Sequence, residues 1–202
     1  MKLNLPNKLS IIRICLIPII MFMYMQNFWV WGKLVASGLF VLAIYTDMLD
    51  GKIARKYNMV TDLGKLLDTN ADKILIFASL LLVVVDGTIP NPYGIIVAVL
   101  ITGRDMVISA FRQIAASKNF VMAADKLGKI KAAVIDVAVA MLMLLSYFNI
   151  MFTAQKFEIF MLVYSIVCYV VIGIGVVLNI WSMLNYMIKN KDVLTKDKKT
   201  EE

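Results

Sequence analysis

The chain has 202 residues, 61% of them hydrophobic, with a mean hydropathy of +0.80 and a net charge of +7. That apolar content marks an integral membrane protein, and it leaves no soluble basic domain to bind nucleic acid, so no nucleic-acid partner is expected. Histidine is absent, and the two cysteines, Cys15 and Cys168, lie far apart in apolar stretches, which leaves no ligand set for zinc or haem.

Hydropathy predicts an all-α fold, an integral membrane bundle of six transmembrane helices at about 9–27, 33–57, 63–85, 92–117, 127–148 and 156–188. Residues 1–8 read as an interfacial segment ahead of the first helix. Lysines precede that helix as in a signal peptide, but bulky Met21-Phe22-Met23-Tyr24-Met25 stands where a small-residue cleavage site would be. The segment therefore reads as a retained anchor. Lys2, Lys8 and Arg13, then Lys52 to Lys65, Lys118 to Lys131 and Lys189 to Lys199 fall at alternate ends of the helices. Only Lys33 and Lys156 mark the opposite loops, so both termini are expected in the cytoplasm. Residues 1–188 form a single membrane domain in this reading, and 189–202 a charged cytoplasmic tail. Trp29, Trp31, Tyr93 and Tyr147 suit interfacial anchors.

The second and third helices carry an unusual set of charges. Asp47-x-x-Asp50-Gly51-x-x-Ala54-Arg55 is followed after eight residues by Gly64-x-x-x-Asp68-x-x-x-Asp72. Positions 47, 50, 51, 54 and 55 share one helical face, and 64, 68 and 72 share another. Between them, Asn58, Thr61 and Asp62 suit a turn and a helix N-cap, so the two faces belong to antiparallel neighbours. A carboxylate in the hydrocarbon costs roughly 2.5–3.5 kcal/mol, so four of them require shared cations. Arg55, Lys52 or Lys65 could supply an ion-pair network. Metal ions suit the frame better: oxygen-only ligands select magnesium, manganese or calcium, and four aspartates match a pair of ions serving displacement at phosphorus. Small Gly51, Ala54 and Gly64 leave a bare floor for a nucleotide or diphosphate. A transported cation is a rival use of membrane acids, but no second acidic layer marks a pathway.

The fourth and fifth helices hold a second set. Arg104 and Asp105 lie deep in the fourth helix and Asp136 in the fifth. Neighbours 104 and 105 point in different directions, so each calls for a partner on another helix; for Arg104 the candidates are Asp136 or an Asp105 on another packing surface. Arg112 lies nearer the expected cytoplasmic end with Lys118, Lys126, Lys129 and Lys131, a cluster suited to a phosphate-bearing acceptor. Positive-inside anchoring is the alternative for these lysines, and it suffices for Lys118.

The run Thr46-Asp47-Met48-Leu49-Asp50-Gly51-Lys52-Ile53-Ala54-Arg55, with Gly64, Asp68 and Asp72, resembles the signature of the CDP-alcohol phosphatidyltransferase family, whose members displace CMP from a CDP-linked lipid or alcohol. Asn4-Leu5-Pro6-Asn7-Lys8-Leu9-Ser10 with Arg13 and Pro18, then Gly103-Arg104-Asp105, Phe111-Arg112 and Leu127-Gly128-Lys129-Ile130-Lys131, is similar to the bacterial members that use sn-glycerol 3-phosphate. The resemblance covers residues 4 to about 185; it departs at Thr69, where many relatives carry proline. It implies that Asp47, Asp50, Asp68 and Asp72 hold two divalent ions, Mg2+ or Mn2+, and that Asp72 is the general base. It further implies that CDP-diacylglycerol lies against Asp50, Gly51, Ala54, Arg55 and Gly64, with its acyl chains among membrane lipids. Arg112, Lys126, Lys129 and Lys131 are the candidates to hold the phosphate of sn-glycerol 3-phosphate; phosphatidylglycerol or inositol phosphate is the alternative acceptor. A homodimer through helices such as the third and fourth also follows by resemblance.

Overall fold

The computed structural model describes residues 5–26, 29–56, 62–117, 126–152 and 157–190; the side chains at 5–7, 48–56, 62–63, 65–66, 117 and 126 fall outside that description. Six helices follow one another: α1 (Leu5–Met25), α2 (Gly32–Lys56), α3 (Asp62–Val85), α4 (Tyr93–Ser117), α5 (Lys126–Met151) and α6 (Glu158–Lys189), and the described residues contain no strand. Long apolar runs take this form because a helix satisfies its own backbone hydrogen bonds without water. α1 begins at Leu5, ahead of the start near residue 9 expected for the first membrane helix.

Among the described residues, four segments are long and apolar enough to cross a membrane: Lys8–Met25, Tyr93–Ala116, Leu127–Met151 and Glu158–Lys189. α2 and α3 have the length but are diluted by the acids and lysines that make them interesting. The outward surface is apolar, with Val85, Ile159, Val177 and Ile188 among many exposed side chains. This is the pattern of a membrane protein, in which lipid covers what a soluble protein would bury.

Among the described residues α1 packs on both α2 and α3, which make few direct contacts with each other; α5 packs on α2, α3 and α6, and α4 on α3 and α6. The core between them is built from Ile20, Phe40, Leu75, Leu80, Val83, Ile101, Val139, Leu142 and Met143. α6 buries one narrow stripe, Cys168, Ile172, Gly175, Asn179, Ser182 and Tyr186, at the three- and four-residue spacing of a single helical face. A Cβ on Gly175 would stand 3.3 Å from Ile135 Cγ1, so this glycine sets how closely α5 and α6 approach. Of the four expected anchors, Trp29, Trp31 and Tyr93 are exposed, whereas Tyr147 is buried with its ring 6.1 Å from that of Trp31.

α3 ends in a turn that places a charge. Gly87 has φ 75, a left-handed conformation that glycine adopts without a Cβ clash; its N–H donates to Val84 O (3.1 Å) and the Thr88 N–H to Val83 O (3.2 Å). Asp86, held at this cap, accepts from buried Lys33 of α2 and from Ser146 of α5. Lys33 also donates to Ser146 Oγ (2.8 Å), and Thr88 Oγ1 donates to Asp86 Oδ2 (2.9 Å). The Tyr24 ring lies 5.3 Å from the ammonium, and Tyr169 of α6 donates to Thr88 O (2.8 Å). The ion pair thus gathers α1, α2, α5 and the end of α3, and Thr88 links α6 to the same turn.

Removing one partner of a buried pair strands the other charge, so Asp86→Ala is expected to destabilise the protein by up to about 3 kcal/mol. The double variant Lys33→Met/Asp86→Leu should recover most of that loss, as read by thermal unfolding in detergent. Equal melting of wild type and Asp86→Ala would count against this role.

Candidate active site

The aspartate frame is closed by a residue from a different helix. α1 contains no acid, yet it carries Arg13, whose side chain is only 2% exposed. A charge so placed has to find its counter-ion on neighbouring helices. The Arg13 guanidinium pairs with Asp47 of α2, and the same Nη1 lies 3.3 Å from Asp68 Oδ1 of α3. One nitrogen is therefore shared by two carboxylates, one third and one half exposed. Asp47 and Asp68 meet as the spacing predicts, and the cation between them comes from α1.

Asp72, one turn beyond Asp68, lies within electrostatic reach of Arg13 and Asp68 on one side and of Asp105 and Lys131 on the other. Asp136 of α5 is in range of Asp72, Asp47, Lys131 and Asp105. The charges that look like two sets along the chain thus form one seam through the bundle. Asp72 and Asp105 also face a cleft of about 120 Å³ between α3 and α4, walled by Ile74, Ile76, Phe77, Ile101 and Met106. Typical ligand pockets are roughly 300–1,000 Å³, so this cleft is too small for a whole nucleotide.

Asp105 is the centre of the second half of the seam. It accepts from Arg104 Nη1 (2.9 Å) and from Lys131 Nζ (2.5 Å). Arg104 Nη2 also donates to Ser182 Oγ of α6 (2.8 Å), and Lys131 donates to Asn179 Oδ1 (3.0 Å). Asn179 turns its amide to donate to Leu100 O (3.0 Å), so both ends of this buried side chain are used. Positions 104 and 105 each find a partner on another helix, Ser182 and Lys131, but the carboxylate that Arg104 meets is the adjacent Asp105 and not the expected Asp136. In addition, the long guanidinium folds back to the adjacent carboxylate, which Cβ directions alone do not anticipate. Lys73 donates to Ser109 Oγ, which donates to Asp105 O (2.7 Å), fastening α3 to α4 beside the acids.

The candidate acceptor cations are distributed unevenly. Lys131 is buried and committed to Asp105 and Asn179. Lys129 is exposed. Arg112 is exposed too, with its guanidinium 5.4 Å from the Tyr186 ring centre and Nε donating to Tyr186 OH (3.2 Å). Lys126 opens α5, but its side chain lies outside the described residues, as do those of Asp50, Ala54 and Arg55 and the surroundings of Gly51. Gly64 lies in the first turns of α3. The sequence reading uses Arg13 only to orient the helices and in the resemblance, and it gives Asn179 and Ser182 no role. For Arg13 the signal was available, since a lone arginine in an acid-free apolar helix has to be paired elsewhere.

Among the described residues no three carboxylates or thiols gather closely enough to hold a metal ion, and the Asp50 carboxylate is outside that set. The donors present nonetheless suit a divalent cation. Asp47 and Asp68 already converge on one positive nitrogen, and every candidate ligand is a hard carboxylate oxygen.

A family model, CDP-alcohol phosphatidyltransferase, matches residues 3–188. The CDP-diacylglycerol–glycerol-3-phosphate 3-phosphatidyltransferase of Bacillus subtilis (strain 168) is 37% identical over 153 residues, covering 70% of this chain and 77% of the relative. A protein of that name, numbered 2, from Arabidopsis thaliana is 31% identical over 204 residues, covering 96% of this chain and 82% of the relative. The Rickettsia felis enzyme of the same name is 38% identical over 141 residues, covering 70% and 75%. With the aspartate frame intact and the match running nearly end to end, the chain belongs to the CDP-alcohol phosphatidyltransferase family.

Proposed function

We propose that the chain transfers the phosphatidyl group of CDP-diacylglycerol to sn-glycerol 3-phosphate, giving phosphatidylglycerophosphate and CMP. The observation that carries this reading is the convergence of Asp47 and Asp68 beside Asp72, in a chain whose relatives are named for that transfer. In this reading all six helices cross the membrane. Both termini and the aspartate seam face the cytoplasm, residues 1–188 act as one domain, and 189–202 trail as a charged tail. A homodimer is part of the same proposal.

Asp47, Asp50, Asp68 and Asp72 would hold two divalent cations, Mg2+ or Mn2+. Bound there, such ions would neutralise the diphosphate and the departing CMP. The remaining work falls to the chain. Gly51, Ala54 and Gly64 leave space for the diphosphate against the backbone, and Asp50 and Arg55 border it on α2. Asp72 takes the proton from the acceptor hydroxyl as its oxygen attacks the phosphorus attached to diacylglycerol; the bond from that phosphorus to CMP breaks. Arg112, Lys126 and Lys129 hold the acceptor phosphate, and Lys131 joins them where phosphate replaces Asp105 as its partner.

Two sets of variants test the proposal. A positioned general base is worth about 10²–10⁴ in rate, so Asp72→Asn is expected to lose at least a hundred-fold in CMP release while remaining folded. Asp47→Asn and Asp68→Asn should be as impaired, and EDTA should abolish wild-type turnover. Wild-type rates in Asp72→Asn, or full turnover in EDTA, would sink the assignment.

The acceptor site is read by varying each substrate separately. A charge-assisted phosphate contact is worth about 1.5–3 kcal/mol, so Arg112→Ala or Lys129→Ala should raise the KM for sn-glycerol 3-phosphate about ten- to hundred-fold, with little change for CDP-diacylglycerol. Lys131→Met should also lower thermal stability, because it strips Asp105 of a buried partner. If no basic variant affects the acceptor, a phosphate-free acceptor within the family becomes the better reading.

A further inference from the structure

We propose that Arg13 is a resident counter-cation that competes with the divalent ion for Asp47 and Asp68, and so sets the ion concentration at which the site fills. The inference rests on reading those two aspartates as ion ligands. Its basis is the placement of the guanidinium. Arg13 is 2% exposed, pairs with Asp47 and lies 3.3 Å from Asp68 through one nitrogen, so its charge occupies the space between the two acids.

The packing explains why a cation belongs there. Among the described residues α1 packs extensively on both α2 and α3, and its Arg13 reaches an acid on each. Two carboxylates brought close in a medium poorer than water repel strongly. Arg13 removes that repulsion from the very helix that joins the other two. An entering divalent cation meets a positive charge already bound to its ligands, and the two compete. Asp72 lies within electrostatic reach of Arg13 as well, so the guanidinium sits in a field shared by three acids.

A role in packing alone and a role in competition have opposite consequences for ion affinity. Loss of a packing residue loosens the site and weakens binding, whereas loss of a competing charge strengthens it. The test uses the full chain purified in detergent, without lipid substrate. Mn2+ binding is measured by the electron paramagnetic resonance of free Mn2+, and thermal unfolding is followed in EDTA and in Mn2+.

Arg13→Gln is expected to melt earlier than wild type in EDTA, to recover most of that deficit in Mn2+, and to bind Mn2+ at least about five-fold more tightly, the lower end of typical coupling between two ligands. Arg13→Lys, whose single shorter ammonium reaches both acids less well, should shift both readings in the same direction by a smaller amount. It decides the matter if the glutamine variant does not fold. Unchanged or weaker Mn2+ binding in the folded variants overturns the proposal. Failure of wild type to bind Mn2+ at all would instead remove the ligand reading on which it stands.

Discussion

A guanidinium that is 2% exposed gives up nearly all of its hydration, and Arg13 offsets that loss through carboxylates on two other helices. That exchange fixes where three helices stand. It forces α1 to enter the bundle between the faces of α2 and α3 that carry the acids, which in turn leaves Asp72 facing the space toward α4 and α5. The same rule then propagates: Asp72 and Asp136 lean on Lys131, Lys131 on Asp105, and Asp105 on Arg104.

The bundle has polar fastenings at two levels. At one, Lys33, Asp86, Ser146 and Thr88 join α2, α3 and α5 around a charge positioned by the Gly87 turn. At the other, Arg104, Asp105, Lys131, Asn179 and Ser182 join α4, α5 and α6. Apolar core lies between, with Leu80, Leu142 and Met143 fully enclosed. In lipid, apolar packing gives helices little reason to prefer one another over acyl chains, so such polar contacts do much to choose the neighbours. The acidic seam therefore sits in a part of the protein that is held by charge on several sides.

The six helices and the aspartate frame were legible because both are local patterns: an apolar run long enough to span, and acids repeated at helical spacing. Asp47 and Asp68 meeting across two helices follows from that spacing alone. What stayed hidden depends on contacts distant in the chain. Arg13 and Asp68 are 55 positions apart, and Lys33 and Asp86 are 53 apart. Asn179 and Ser182 are single polar residues in a strongly apolar helix, and no periodicity announces that both face inward. Lys131 looked like its neighbour Lys129 in composition, but two residues along a helix is about 200° of rotation, which turns one inward and the other outward.

α6 has 32 residues, so at 1.5 Å per residue it is about 48 Å long, against about 30 Å for the hydrocarbon of a typical bilayer. Its contacts with α4 run in the same direction, from Asn179 beside Leu100 to Tyr186 beside Arg112, so most of the surplus length lies at its start. There Phe160 and Tyr164 stack on each other and meet Phe148 of α5 edge-on, and Phe160 also meets Phe152 just beyond α5. Accommodating the whole helix by tilt alone would require about 50°, beyond the usual range of 0–40°. A rod of that length would carry its aromatic tip beyond the hydrocarbon of a typical bilayer. Because Asn179 and Ser182 sit on the same rod, any change in the lean of α6 would carry with it the partners of Lys131 and Arg104.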